Sequence, residues 1–435
     1  MFISLGCDKN TVDTEFMLGL LRDNGYSLTN EEAEADVIVV NTCAFIKDAL
    51  EESINTILEV AEYKKTGRLK KLVVAGCLAQ RYADNIIKEI PEVDAVVGTT
   101  AYDKIVEAIE GKENRYIADV NATPLPDTKR VVTTGGYYSY LKIAEGCNKH
   151  CTYCIIPTFR GEYRSIPMER LVEEAGFLVE GGAKELILVA QETTLYGTDL
   201  YGKKSLPELL DKLSKIPGLQ WIRILYCYPE EIDDNLIKTI KENPKVCKYL
   251  DLPIQHASDD VLKRMGRRTT TKDLTNLIKK LRKEIPDIAL RTTLISGFPG
   301  ETEEDHKKLV EFVKKSQFEH LGVFTYSKEE GTAAARMDNQ VHPRTKERRR
   351  NEIMALQQEI SKEKTKSRIG KEIYVMVEGK LPEEDVWVGR SSSDAPNVDG
   401  FVFFSSPDSY LSGDIVPVKV TGAAEYDSIG EAIID

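Results

Sequence analysis

Apolar and polar positions alternate in two rhythms from Met1 to about Asp119. Ile3 to Gly6 starts a strand. Thr11 to Asn24 repeats at helical spacing and stops at Gly25, a C-terminal glycine cap. Val37 to Val40 reads as a buried strand, Ala49 to Lys64 as a helix, and Leu72 to Ala75 as another strand. Ala83 to Glu89 is a short helix stopped by Pro91, Val93 to Gly98 a strand, and Asp103 to Gly111 a helix. Strands alternating with helices predict a parallel, doubly wound α/β sheet. Val120 to Gly136 breaks the rhythm with Pro124, Pro126, Asp127 and paired glycines, and reads as a linker.

A second β/α series runs from Tyr138 to about Gln340. Its strands are expected at Tyr140 to Ile143, Glu185 to Val189, Trp221 to Leu225, Tyr249 to Pro253, Ala289 to Ser296 and Leu321 to Tyr326. Six units are too few for a closed eight-unit barrel, so a partial (β/α)6 TIM-like barrel is predicted. Thr345 to Ile369 is a charged helix. From Lys371 onward, short alternating segments are punctuated by Gly379, Pro382, Gly400, Pro407 and Gly413, which predicts a small antiparallel β-barrel of OB-like type. The expected units are 1–125, 133–369 and 370–435, because 435 residues exceed what one core usually serves.

Hydrophobic residues at 41% and charged residues at 30% exclude a disordered chain. No apolar run approaches the roughly 18 residues that span a bilayer, and the first residues read as a core strand, so a cytoplasmic protein is expected. The absence of a large apolar surface stripe points to a monomer. A formal charge of −12 disfavours a general nucleic-acid binder.

The cysteines carry the chemistry. Cys147, Cys151 and Cys154 form a C-x3-C-x2-C run just past the first strand of the second unit. Three thiolates in eight residues can hold one face of an iron–sulfur cube and leave one iron without a protein ligand. Zinc is the competing reading, but it usually takes C-x2-C pairs with a distant second pair or histidines. Cys7, Cys43 and Cys77 each lie just past a predicted parallel strand, at the sheet edge where α/β folds bind ligands. Three unrelated core cysteines are the bland alternative. Cys227 and Cys247 have no partner at ligand spacing and read as core residues.

These features resemble the radical S-adenosylmethionine (SAM) methylthiotransferases along the whole chain. The resemblance is carried by Ser4-Leu5-Gly6-Cys7, Asn41-Thr42-Cys43, Ala75-Gly76-Cys77, Ile143 to Cys147, Arg291 to Glu301 and Tyr326 to Thr332. Lys9-Asn10, Gln255 to Ser258, and Gly389 to Ser391 continuing to Asp394 to Gly400 are similar to the RimO-type branch. That branch modifies an aspartate of small-subunit ribosomal protein number twelve. Asp8 departs from it, where proline is frequent.

The resemblance implies two 4Fe-4S clusters and SAM. The set Cys147, Cys151 and Cys154 would bind SAM and cleave it to a 5′-deoxyadenosyl radical. The radical would take hydrogen from the aspartate β-carbon, and the set Cys7, Cys43 and Cys77 would deliver methylthio sulfur. Side-chain acids and bases cannot break such a C–H bond, so a cofactor must. Tyr153, Gln191, Glu192, Gln255, Arg291, Ser296 and Gly297 are the candidates for holding SAM. Arg160 and Arg164 are candidates for meeting a carboxylate, with surface ion pairs as the competing reading, and His256 for moving a proton, with a hydrogen-bonded pocket histidine as the reading it must displace. Flavodoxin or ferredoxin is the expected type of electron donor, and the basic ribosomal protein or its assembled subunit the expected partner.

Charge separates the rival substrates. From Glu372 to Asp435 there are 13 acidic and 3 basic residues, a net of −10. An RNA-gripping barrel needs the opposite sign, which argues against the branch that modifies an adenosine of transfer RNA (MiaB type). A non-catalytic iron–sulfur electron carrier predicts four protein ligands per cluster, against three-cysteine sets. The basic stretch Arg344 to Lys371 is expected to present a solvated face with Glu347, Glu352, Glu359 and Glu363 as partners, in preference to an RNA site.

Overall fold

The computed structural model describes residues 1–382 and 385–434. Its first unit is a parallel sheet of β1 (Phe2–Ser4), β2 (Val37–Thr42), β3 (Lys71–Gly76), β4 (Ala95–Val97) and β5 (Arg115–Tyr116). The valine-rich β2 and β3 are buried because helices cover both faces. The helix Asp8–Asp23 packs Met17 and Leu21 on one face; the helix Lys47–Ala61 packs Ile57 and Val60 on the other. Strand order runs straight from β1 to β5, with helices on both faces of the sheet. The ligand edge is therefore set by the loops after β1, β2 and β3. Their register is tight, Ser4 opposite Asn41 and Asn41 opposite Ala75, so Cys7, Cys43 and Cys77 leave the sheet side by side.

The second unit begins with β6 (Tyr138–Lys142), followed by the short pair β7 (Ala144–Glu145) and β8 (Arg164–Ser165). Its remaining parallel strands are β9 (Glu185–Val189), β10 (Trp221–Ile224), β11 (Tyr249–Asp251), β12 (Ala289–Ser296) and β13 (His320–Thr325). They form two three-stranded sheets, β10-β9-β6 and β11-β12-β13, joined by an Ile222–Val246 bridge. This is the six-strand partial barrel the sequence predicted. Leu186, Leu188, Ile222, Leu250 and Leu290 face the outer helices, while Tyr138, Tyr140, Ile187, Trp221 and Tyr249 fill the interior.

The helix Pro343–Lys366 is not solvated all round. Arg349, Ile353, Gln357, Ile360 and Thr365 form a buried stripe. Arg349 pairs with Glu301 at 3.0 Å and Gln357 donates to the Phe318 carbonyl at 2.9 Å. Its mixed polarity hid this seam, because the buried positions satisfy polar groups of the barrel rather than apolar ones.

The last unit is a closed barrel in the order β14 (Glu372–Lys380), β15 (Val386–Ser391), β16 (Val402–Ser405), β18 (Ser428–Ala432) and β17 (Ile415–Ala423). The segment Ser391–Asp399 leaves this barrel and enters the interior of the partial barrel. Arg390 pairs with Glu185 at 2.7 Å, and Arg223 joins the same carboxylate at 2.7 Å and the Ser392 carbonyl at 2.8 Å. Tyr249 donates to Asp399 at 2.7 Å, and His320 meets the Ser393 carbonyl at 2.8 Å. Among the described residues no helix is long and apolar enough to cross a membrane.

Candidate functional site

Cys7 precedes the helix Asp8–Asp23, Cys43 follows β2, and Cys77 opens the helix Cys77–Glu89. Two glycines permit the approach. A Cβ on Gly6 (φ +92) would lie 2.8 Å from the Cys43 Cβ, and one on Gly76 (φ +91) only 2.3 Å from Asn41 Oδ1. Only glycine adopts that backbone without strain. Asn10 ties the loops together, donating to the Leu5 carbonyl at 2.9 Å and the Thr42 carbonyl at 3.0 Å.

Cys147, Cys151 and Cys154 lie on a loop after β7. It is pinned by Thr152 N–H on the Met265 carbonyl at 3.0 Å and by Ala334 N–H on the Thr152 carbonyl at 2.8 Å. A Cβ on Gly146 would overlap the Glu162 carbonyl at 2.0 Å. Cys151 Sγ lies 3.7 Å from the Tyr228 hydroxyl, and Arg267 stacks 4.3 Å over that ring. The chain after the loop inserts Ile155 and Phe159 into the first unit's core, and Thr99 donates to the Phe159 carbonyl at 2.6 Å. The two cysteine sets are thereby brought onto one interdomain seam.

Burial pushes the Cys77 thiol up to about 12, the Cys147 thiol to about 11 and the Cys154 thiol to about 12. Bare, these groups are inert thiols rather than nucleophiles. Thiolates here need a metal centre to stabilise them. Among the described residues no three Cys, His, Asp or Glu side chains are grouped to chelate a single ion. A cube of iron and sulfur spreads its thiolates over separate corners and suits the wider sets. Cys227 and Cys247 are core residues, as expected.

Arg160 crosses the seam. It is buried, and its guanidinium donates to Asp13 at 2.9 Å, Glu145 at 3.0 Å, Cys77 Sγ at 3.5 Å, and Asn10. Lys142 binds the same Asp13 and Glu145. Burial works against the Glu145 carboxylate, yet Arg160 and Lys142 hold it down at about 2. Arg160 is thus already saturated by carboxylates of this chain, a correction to its expected meeting with SAM or substrate. Arg164 is corrected too: it donates to Thr123 Oγ1 at 3.1 Å and to the Arg160 and Glu162 carbonyls on an outer loop.

The other candidates divide. Gln191 donates to Glu145 at 2.6 Å. Burial raises Glu192 to about 7, and its Oε2 is sealed without a hydrogen-bond partner near Cys147. An orphaned buried carboxylate oxygen suits an incoming amino group. Tyr153 packs beside Phe298 and Tyr326. Gln255 (φ +71) bridges Leu294 and stays half-buried at the barrel's end. Ser296, the last residue of β12, instead donates to the Lys346 carbonyl at 2.9 Å. The Gly297 N–H bonds Glu301 at 2.6 Å. Arg291, third residue of β12, pairs with Asp251 at 2.9 Å and reaches Asp399 at 3.5 Å. At about 3.3 Å per strand residue it lies far below the mouth.

His256 is fully buried, and burial lowers it to about 3, so it stays neutral. Its Nδ1 accepts the Ser258 N–H at 2.9 Å, which leaves the proton on Nε2, 3.8 Å from Glu301. Sealed from solvent, neutral and with no hydrogen-bond partner on Nε2, it has no route for proton exchange, a correction to its candidacy for moving a proton. Glu301, Asp305, His306, Arg264 and Arg349 face it. The unfolded chain takes up this proton below about 6.5 while the folded chain refuses it until about 3. Stability is therefore whole above pH 6.5 and falls towards pH 3. In His256→Gln this acid-side decline is shallower by about 1–3 kcal/mol, read from denaturant midpoints across that range.

Sequence reasoning missed Asp13, Lys142, Glu145 and Lys149. Glu145 and Lys149 lie inside quoted motifs without a role being read for them, Asp13 and Lys142 lie outside any, and Lys149 gains its meaning through its pairs with Glu230 at 3.6 Å and with Glu231.

Residues 1–98 match the uncharacterized protein family UPF0004, residues 141–313 the radical SAM superfamily, and residues 369–433 the TRAM domain. The fold is shared with the radical SAM methyltransferase TsrM from Kitasatospora setae (TM-score 0.53, 14% identity, 74% of this chain and 72% of that one). It is shared also with the cobalamin-dependent radical enzyme OxsB (TM-score 0.53, 12% identity, 77% and 54%). The three units and their cysteine sets define a radical SAM methylthiotransferase. The "Ribosomal protein uS12 methylthiotransferase RimO" of Lachnoclostridium phytofermentans is 64% identical, covering 99% of both chains. That of Acetivibrio thermocellus is 52% identical over 99% of this chain and 97% of its own. The chain belongs to the RimO family of ribosomal protein uS12 methylthiotransferases.

Proposed function

We propose that the chain replaces a β-hydrogen of an aspartyl residue of ribosomal protein uS12 with a methylthio group. The single observation that carries this is the pairing of two three-cysteine sets across one seam, tied by Arg160 between Cys77 and Glu145. Cys7, Cys43 and Cys77 hold one 4Fe-4S cluster and Cys147, Cys151 and Cys154 the other. When bound, the clusters and SAM supply the electron, the radical and the sulfur.

The chain's own residues do the rest. Glu192 offers its orphaned oxygen to the SAM amino group, beside Gln191. Tyr153 and Gln255 line the approach to the barrel end. Tyr228 and Arg267 wall in Cys151. The seam excludes water and holds the target carbon between the two sets. The acidic last barrel attracts the basic substrate protein. Flavodoxin or ferredoxin supplies electrons to the monomeric enzyme in the cytoplasm.

The test is anaerobic reconstitution with iron, sulfide, SAM and reductant, then small ribosomal subunits or transfer RNA. Substrate protein heavier by about 46 Da, methylthio replacing hydrogen, is expected. The same gain on RNA alone overturns the substrate. No 5′-deoxyadenosine from fully loaded protein overturns the chemistry.

A further inference from the structure

Lys9 is a buried cation without an anion. It retains 6% exposure, and its ammonium stands 3.5 Å over the centroid of the Tyr226 ring. Among the described residues no carboxylate oxygen lies within 4.0 Å of it, and its nearest side-chain partner is Tyr226. Its neighbour Asp8 is engaged elsewhere, accepting from the Tyr226 hydroxyl at 3.0 Å. A ring face attracts an ammonium but gives its three N–H groups no acceptor. Buried charges normally carry a partner.

The position of Lys9 bears on the reaction. It lies two residues after Cys7, in the first turn of the helix Asp8–Asp23. Tyr226 follows β10 at the C-terminal end of the barrel strands, and its N–H is fixed by Asp251 at 3.0 Å. The ammonium therefore stands between the first cysteine set and the barrel mouth, in the gap the reacting carbon must enter. An aspartyl side chain carries its carboxylate one bond from the β-carbon.

We propose that Lys9 is a positioning residue that grips the substrate carboxylate and selects aspartate over its neutral analogue. This rests on the function proposed above. An N–H donated to a carboxylate fixes the β-carbon at one bond's distance, and an adenosine would offer no anion there. Loss of such a charge-assisted contact costs about tenfold to a hundredfold in kcat/KM.

The test uses the cluster-loaded enzyme with small subunits bearing either the native target aspartate or asparagine in its place. The wild type is expected to prefer aspartate at least about tenfold. Lys9→Met loses that preference through KM for the aspartate substrate, and Lys9→Arg restores part of it. Iron per chain, measured alongside, is expected to equal the wild type. A Lys9→Met enzyme that keeps the wild-type preference overturns the proposal. So does one that loses iron and slows equally on both substrates, since Lys9 then only balances the cluster's charge. Wild-type enzyme inert on both subunits but active on transfer RNA refutes the underlying function instead.

Discussion

Cys43→Ala is expected to retain SAM cleavage and to make no methylthiolated product. Cys43 lies on the first set, its Sγ 3.2 Å from where a Gly6 Cβ would stand. Iron per chain should fall by about half, because one three-thiol cage is broken and the other is intact. The fold should survive, since trimming a small buried side chain costs roughly 1 kcal/mol. Cys247→Ala is the matched control: Cys247 is equally buried but lies in the barrel interior, and it should keep iron and product. Iron analysis, 5′-deoxyadenosine and substrate mass separate the outcomes. Undiminished methylthiolation by Cys43→Ala would remove the first set from the reaction.

The second large effect is expected at Arg160. Arg160→Met leaves Asp13 and Glu145 sharing Lys142 alone, and removes the only guanidinium on Cys77 among the described residues. Breaking a buried charge network from one side costs about 3–5 kcal/mol. Iron of the first set should be lost with it. Glu145, held at about 2, contributes stability that is present above 4.5 and is lost as pH falls towards 2. Without Arg160 the folded carboxyl rises, so this contribution and its acid-side loss shrink. Arg160→Lys restores charge but not the forked geometry and should recover only part. Denaturant midpoints against pH, with iron per chain, read both effects. A variant with the wild-type midpoint and full iron would show that the seam does not depend on this residue.

The cysteines were legible because each follows an apolar strand run, and a strand's end fixes which edge of a parallel sheet a residue reaches. Strand ends do not tell which way a side chain turns. Ser296 turned to Lys346 and Arg291 lay at the wrong depth for that reason. Arg160 follows no periodic pattern; its direction comes from Ile155 and Phe159 docking in another unit's core, a long-range event. β18 was unread because Ser428, Gly430 and Ala432 give no apolar alternation. Gly430 is required there, since a Cβ would meet Val418 Cγ1 at 2.5 Å. The motif from Asp394 to Gly400 was visible, but not that it enters the barrel.

That intrusion makes the terminal module inseparable from its host. A shortened chain ending before residue 370 would take Arg390, the Ser392 carbonyl and Asp399 away from Glu185, Arg223 and Tyr249, and open a hollow that water must then fill. The segment Ser391–Asp399 thus locks the terminal barrel into the interior of its neighbour through buried ion pairs instead of leaving it on a loose tether.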